Sequence, residues 1–190
     1  YDVLLEVEGE DVTEFEKTVD AYYYSVNFPE DVTMTFSSIG LRGQGFEESH
    51  ILSFVSPSSQ SLANLRASLS GEKWENYLDL VRPLVDNVRV SAGNASKVFN
   101  PEEFYPIGQV WGFKVKSKYI PQFTVAFEKL MQTFDAPGFV GLANVTHGIS
   151  NGENLLIYGT YPDLNSAFTF GPNNEAEAGA FAEFFNVTGE

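Results

Sequence analysis

The sequence predicts an α+β chain built from two copies of one strand-helix-strand-strand-helix-strand unit. Three observations predict it. Apolar residues recur at period two in some stretches and at spacings of three and four in others, in one repeated order. The opening of the chain falls on its middle at an offset of 108 residues. Glycine and proline punctuate both copies at matching places.

The offset can be followed residue by residue. Val3, Leu5 and Val7 fall on Trp111, Phe113 and Val115, and Phe15, Val19 and Val26 on Phe123, Phe127 and Phe134. Gly40 falls on Gly148. A loop three residues shorter then changes the offset to 105, which puts Leu52 on Ile157 and Pro57 on Pro162. Further on, an offset of 107 puts Trp74, Tyr77 and Leu78 on Phe181, Phe184 and Phe185.

In the first unit, Asp2 to Glu8 is rich in apolar and β-branched residues and reads as a strand. Val12, Phe15, Val19, Tyr22, Tyr23 and Val26 line one face of a helix. Asp11 is its expected N-cap, because a carboxylate there accepts from free first-turn N–H groups. Pro29 closes that segment. Strands follow at Val32 to Ile39 and Ser49 to Val55. Leu62 to Leu69 is helical, and the apolar face continues through Trp74, Tyr77, Leu78, Val81 and Val85, with Pro83 marking a kink or an early end. Val88 to Ala92 is the fourth strand.

The second unit repeats the order: a strand over Gln109 to Lys116, then a helix with Pro121 in its first turn, where a missing N–H costs nothing. Ala136-Pro137-Gly138 stops that helix. Strands are expected at Phe139 to Thr146 and Leu155 to Tyr161, and a helix at Glu175 to Phe185. A matching fourth strand would start beyond the last residue, so the unit either lacks it or takes one from elsewhere. The expected organisation is a first unit over 1–95, a linker over 96–108 rich in turn signals, and a second unit over 109–190. Strand-helix-strand twice over is the ferredoxin-like split βαβ arrangement. A four-stranded sheet covered by helices on one face needs a partner for the other. The expected architecture is therefore two tandem ferredoxin-like units packing sheet to sheet as an intrachain α/β barrel.

The segment Gln109 to Phe170 resembles the dimeric α/β barrel superfamily, especially antibiotic-biosynthesis-monooxygenase-like domains. Val110-Trp111-Gly112-Phe113-Lys114-Val115-Lys116, the aromatic helix through Phe134, Pro137-Gly138-Phe139-Val140-Gly141 and Leu155-Leu156-Ile157-Tyr158 carry the resemblance. It implies two sheets packed face to face with helices outside, a barrel that such proteins usually form from two subunits. It also implies cofactor-free oxidation of aromatic substrates, haem degradation, or no chemistry. Haem degradation in such relatives uses a histidine of the second helix. Neither Glu72 to Asp86 nor Glu175 to Phe185 contains one.

Composition excludes several classes. The chain has 190 residues with 17 Phe, 9 Tyr and 2 Trp, too apolar and aromatic for a disordered protein. Cysteine is absent, which removes disulfides, thiolate chemistry and cysteine-bound metal. A net charge of −15 repels phosphate backbones, so no nucleic-acid partner is expected. No apolar run reaches the roughly 20 residues of a membrane helix, and no membrane partner is expected. Tyr1 in place of a start methionine reads as a processed or trimmed chain, and the acidic surface suits a periplasmic or secreted setting. The sequons at Asn94, Asn144 and Asn186 matter only in a eukaryotic secretory pathway.

The chemistry-bearing residues are few. His50 and His147 are the two histidines, each able to serve as a general base near neutral pH. The more ordinary reading of each is a hydrogen-bonded strand or turn residue. Their spacing supports no metal site, and no cofactor is expected. Asn144 and Tyr158 are polar groups on expected strands, able to orient a ligand among apolar neighbours. Glu6 and Lys114 occupy matching positions of the two units and alternate with the apolar strand faces. They face the inter-unit interior or the solvated rim. Trp111, His50, Glu6 and Lys114 are the expected ligand contacts, and His147, Asn144 and Tyr158 the catalytic set if the protein is an enzyme. Three functions follow: a barrel binding a small apolar or aromatic molecule, a cofactor-independent monooxygenase, and an interaction module using an open sheet edge. The expected state is a monomer or weak homodimer.

Overall fold

The computed structural model describes residues 1–148 and 152–188, and is mixed α+β with antiparallel strand pairs. The chain divides into two compact units, Tyr1–Ala92 and Gly93–Glu190.

The first unit contains β1 (Asp2–Glu6), α1 (Val12–Tyr24), β2 (Thr33–Ser38), β3 (His50–Val55), α2 (Ser59–Ser68), α3 (Glu72–Val81) and the start of β4 (Asn87–Phe99). Its strand order is β2-β3-β1-β4, the order of the split βαβ arrangement. Register follows from pattern: Leu5 lies opposite His50 and Val3 opposite Leu52, so one face collects His50, Leu52 and Phe54 beneath the helices. α1 buries Phe15, Val19 and Tyr23 at a spacing of four, while Tyr24, next in sequence, is 96% exposed. Trp74 and Tyr77 of α3 join Tyr22 in an aromatic cluster, with the Tyr22 and Tyr77 rings stacked 4.2 Å apart. Ser58 caps α2 by accepting from the Ser61 N–H at 3.2 Å. Pro83 lies in a 3₁₀ turn, Arg82–Leu84, that ends the α3 segment.

The second unit contains the rest of β4, then β5 (Ile107–Phe113), α4 (Ile120–Thr133), β6 (Val140–His147), β7 (Leu155–Tyr161), α5 (Leu164–Phe168) and α6 (Glu175–Thr188). Its strand order is β4-β6-β7-β5. Phe123, Phe127 and Leu130 of α4 pack with Phe184 of α6 on Leu142, Leu155 and Ile157. Trp111 and Phe113 of β5 face the same core, Trp111 lying 5.2 Å from the Phe170 ring. No helix among the described residues is long and apolar enough to cross a membrane.

Four expectations need correction. Asp11 stands at the α1 cap position, but its side chain makes no capping bond; its backbone oxygen instead takes the Phe15 N–H. The fourth strand does not stop at Ala92. β4 continues through Phe99, over residues read as linker, because Gly93 to Phe99 lie along β6, where the Ser96 hydroxyl bonds the Leu142 oxygen. β5 starts two residues earlier than expected, at Ile107, because Ile107 and Gly108 pair with Tyr161 and Thr160. A short helix, α5, lies between β7 and α6, its start fixed by Asp163 accepting from the Ser166 N–H at 2.7 Å.

Candidate functional site

The sheet of the second unit has one face under its helices and one face without them. Cross-strand partners share a face. Leu142 opposes Ile157, and both lie in the helix-covered core. Tyr158 opposes Val110 on one side and Gly141 on the other, so these three lie on the helix-free face.

Three aromatic rings meet there. Phe104, Phe139 and Tyr158 touch one another, with centroids 5.6 to 6.0 Å apart and planes tilted by 39 to 60°. Two glycines make room for them. A Cβ on Gly108 would come within 2.7 Å of the Tyr158 hydroxyl and 2.9 Å of its ring, so Tyr158 lies flat across β5. The Phe139 ring covers Gly141 in the same way, at 3.1 Å. Farther along β5, the Glu153 carboxylate covers Gly112. The result is an aromatic platform, half-exposed at Phe104, with one phenol hydroxyl lying on the sheet and one carboxylate at its far end. A flat, electron-rich ring lying on a sheet is suited to stacking against another ring.

Within the second unit, Asn144, His147 and Tyr158 are not brought together. Asn144 opposes Leu155 and faces the helix side, the reverse of Tyr158. His147 lies six residues past Gly141 on β6, about 20 Å along the strand from the level of Tyr158. It is exposed, and its Nδ1 lies 2.9 Å from the Thr146 hydroxyl. Trp111 packs under the helices on Phe170 rather than on the platform. Lys114 follows the end of β5 and is exposed. Glu6 ends β1, where burial and then Glu47, Asp86 and Glu48 raise its pKa against the opposing pull of Arg42.

His50 belongs to the first unit's core. It is 2% exposed, with the Phe15 and Phe36 rings 5.0 and 5.7 Å away. Its Nδ1 lies 2.8 Å from the Ser49 hydroxyl and its Nε2 3.3 Å from the Glu16 carboxylate. The series hydroxyl, imidazole, carboxylate has the composition of a nucleophilic triad. Ser49 is not poised to attack, because its oxygen accepts the Val7 N–H at 3.0 Å, donates to the Leu5 carbonyl at 3.3 Å, and is buried. The group ties β3 to the end of β1. Nearby, buried Glu48 pairs with Arg89, and its Oε2 has no hydrogen-bond partner among the described residues.

No group of three or more metal-type side chains gathers among the described residues. An open concavity of about 540 Å³ lies beside Tyr23, Tyr24, Met34 and Phe36, and another of about 290 Å³ beside Phe99, Asn100 and the end of α4. No predicted site residue lines either one. Sequence reading missed Phe104, Phe139 and Glu153. The available signal was an aromatic pair, Phe104-Tyr105, in an otherwise polar connection.

No family model matches the chain, and no curated protein matches it. Solved structures do share its fold. A candidate monooxygenase from Lactobacillus acidophilus NCFM aligns with a TM-score of 0.65 at 10% identity, over 96% of this chain and 84% of that one. An anthrone oxidase-like protein aligns at 0.64 and 10% identity, over 98% and 84%. A candidate monooxygenase from Fusobacterium nucleatum aligns at 0.64 and 11% identity, over 99% and 84%. The chain thus has the α+β, ferredoxin-like fold of these monooxygenase-like structures. At this identity the likeness concerns the fold and not the chemistry.

Proposed function

We propose that the protein binds a small aromatic molecule on the helix-free face of its second unit, stacked on Tyr158. The observation that carries this reading is the three-ring contact of Phe104, Phe139 and Tyr158, with Tyr158 lying flat over Gly108. The phenol hydroxyl and the Glu153 carboxylate give such a ligand polar ends to meet. The test is calorimetric titration with 2-naphthol. Saturable binding is expected, weakened about tenfold in Tyr158→Ala, near 1.4 kcal/mol, and much less in Tyr158→Phe. Absence of saturation up to about 1 mM, or equal affinity in Tyr158→Ala, removes the proposal.

A second reading is cofactor-independent oxidation of an aromatic substrate. The fold likeness to candidate monooxygenases and to an anthrone oxidase-like protein favours it. Dioxygen uptake with anthrone, compared between wild type, Tyr158→Phe and His147→Ala, tests it. Uptake no faster than the spontaneous reaction rejects it.

We also infer that the two units arose by duplication of one ferredoxin-like module. Offset-matched residues support this: Phe15 and Phe123, Val19 and Phe127, Leu52 and Ile157, and Tyr77 and Phe184 are all buried in the cores of their own units. The units differ in where the fourth strand lies. In the first, β4 lies beside β1; in the second, β4 lies beside β6, at the far side from β5.

A further inference from the structure

That difference leaves β5 at an edge. Among the described residues, β5 pairs with β7 and with no strand on its other side. The backbone groups on that free side can be assigned. The Thr160 N–H bonds the Phe139 oxygen, and with the β6–β7 register this makes the even-numbered residues of β7 bond toward β6. Antiparallel strands alternate, and the odd-numbered residues of β7 therefore bond toward β5. Their partners are Ile107, Gln109, Trp111 and Phe113. The N–H and C=O groups of Gly108, Val110 and Gly112 point outward.

These outward positions carry two glycines and a valine that is 54% exposed. Edge strands are normally guarded by charge, proline, a bulge or a cover, because free backbone groups recruit another strand. Ile-Gly-Gln-Val-Trp-Gly-Phe contains no charge and no proline. The charges lie at its ends and differ in sign. Exposed Glu102 and Glu103 precede it, and exposed Lys114, Lys116 and Lys118 follow it.

We propose that β5 pairs antiparallel, edge to edge, with β5 of a second copy of this chain. Centred on Val110, this pairing sets Gly108 against Gly112 of the other copy and makes about six backbone hydrogen bonds. It places the basic end of each strand beside the acidic end of its partner, whereas parallel pairing would juxtapose like ends. The charge reversal across β5 therefore selects both the occupant and its direction. The other edge strand, β2, has no such signature. Glu30 and Asp31 precede it, and the first basic residue after it, Arg42, bonds the Glu47 carbonyl at 2.6 Å.

Sedimentation equilibrium of the full chain from about 1 μM to about 1 mM tests the pairing. A concentration-dependent monomer–dimer equilibrium is expected. Val110→Pro removes an outward N–H without touching the ladder to β7, and should raise the dimer Kd at least about tenfold at unchanged circular dichroism. Lys116→Glu with Lys118→Glu should weaken the dimer, and adding Glu102→Lys with Glu103→Lys should restore it. These four side chains are exposed, so the swap reads pairing even if the proline variant fails to fold. A chain that stays monomeric throughout overturns the proposal. So does a dimer that survives Val110→Pro in a folded protein, or one indifferent to the charge swap.

Discussion

Glu6 shows how a single side chain can work against the fold that holds it. Its carboxyl lies where burial and three neighbouring acids, Glu47, Asp86 and Glu48, disfavour the charged form and raise its pKa. An acid whose folded pKa lies above its unfolded value costs stability once pH has risen through the folded pKa. The cost vanishes below the unfolded value, where both states are protonated. Glu6→Gln should therefore stabilise the protein at neutral pH, with the gain fading to nothing in acid below the ordinary carboxylate range. Urea unfolding of both proteins across that range measures it. The opposite sign applies to Asp31 and Asp163, whose pKa values are lowered by hydrogen bonds from Ser61 and Ser56 and from Ser166. At this scale the sequence was partly legible. That His50 is a hydrogen-bonded strand residue followed from its place in an alternating apolar run. That Glu6 sits among acids did not, because Glu47 and Asp86 come from distant loops that no local pattern brings together.

Elements with strong periodicity were readable, and those held by pairing alone were not. Phe15, Val19 and Tyr23, or Phe123, Phe127 and Leu130, declare helices because their spacing leaves one solution. Gly93-Asn94-Ala95-Ser96 carries residues with little strand preference, and its extension of β4 comes from the neighbouring β6. Gly93 makes that neighbour visible. A Cβ there would meet the Asn144 carbonyl and the Val145 backbone, atoms that cannot swing aside. Gly93→Ala should cost about 1 to 3 kcal/mol in chemical denaturation, as overpacking against rigid structure does. Gly9→Ala, where nothing lies within 4 Å of the added carbon, is the control and should stay within about 0.5 kcal/mol. The platform escaped sequence reading for the same reason. Phe104 and Glu153 come from connections, and only the strand order carries them to one face.

For the molecule as a whole, a net charge of −15 on 190 residues is a standing repulsion that folding concentrates. Ions screen it, so the thermal midpoint should rise by several degrees between about 0.01 and 0.15 M sodium chloride. A midpoint that falls with added salt would mean that local ion pairs such as Lys97–Glu128 outweigh the repulsion. The mixed order of strands and helices was open to reading from pattern alone. The departure of the second unit's strand order was not, since it depends on which of two edges a shared strand chooses. The two tryptophans fall one to each unit, Trp74 among the tyrosines of the first and Trp111 against Phe170 in the second. The chain therefore carries two built-in optical gauges. Replacing either indole with phenylalanine leaves the other to report its own half, so emission spectra can time the melting of each half without any added dye.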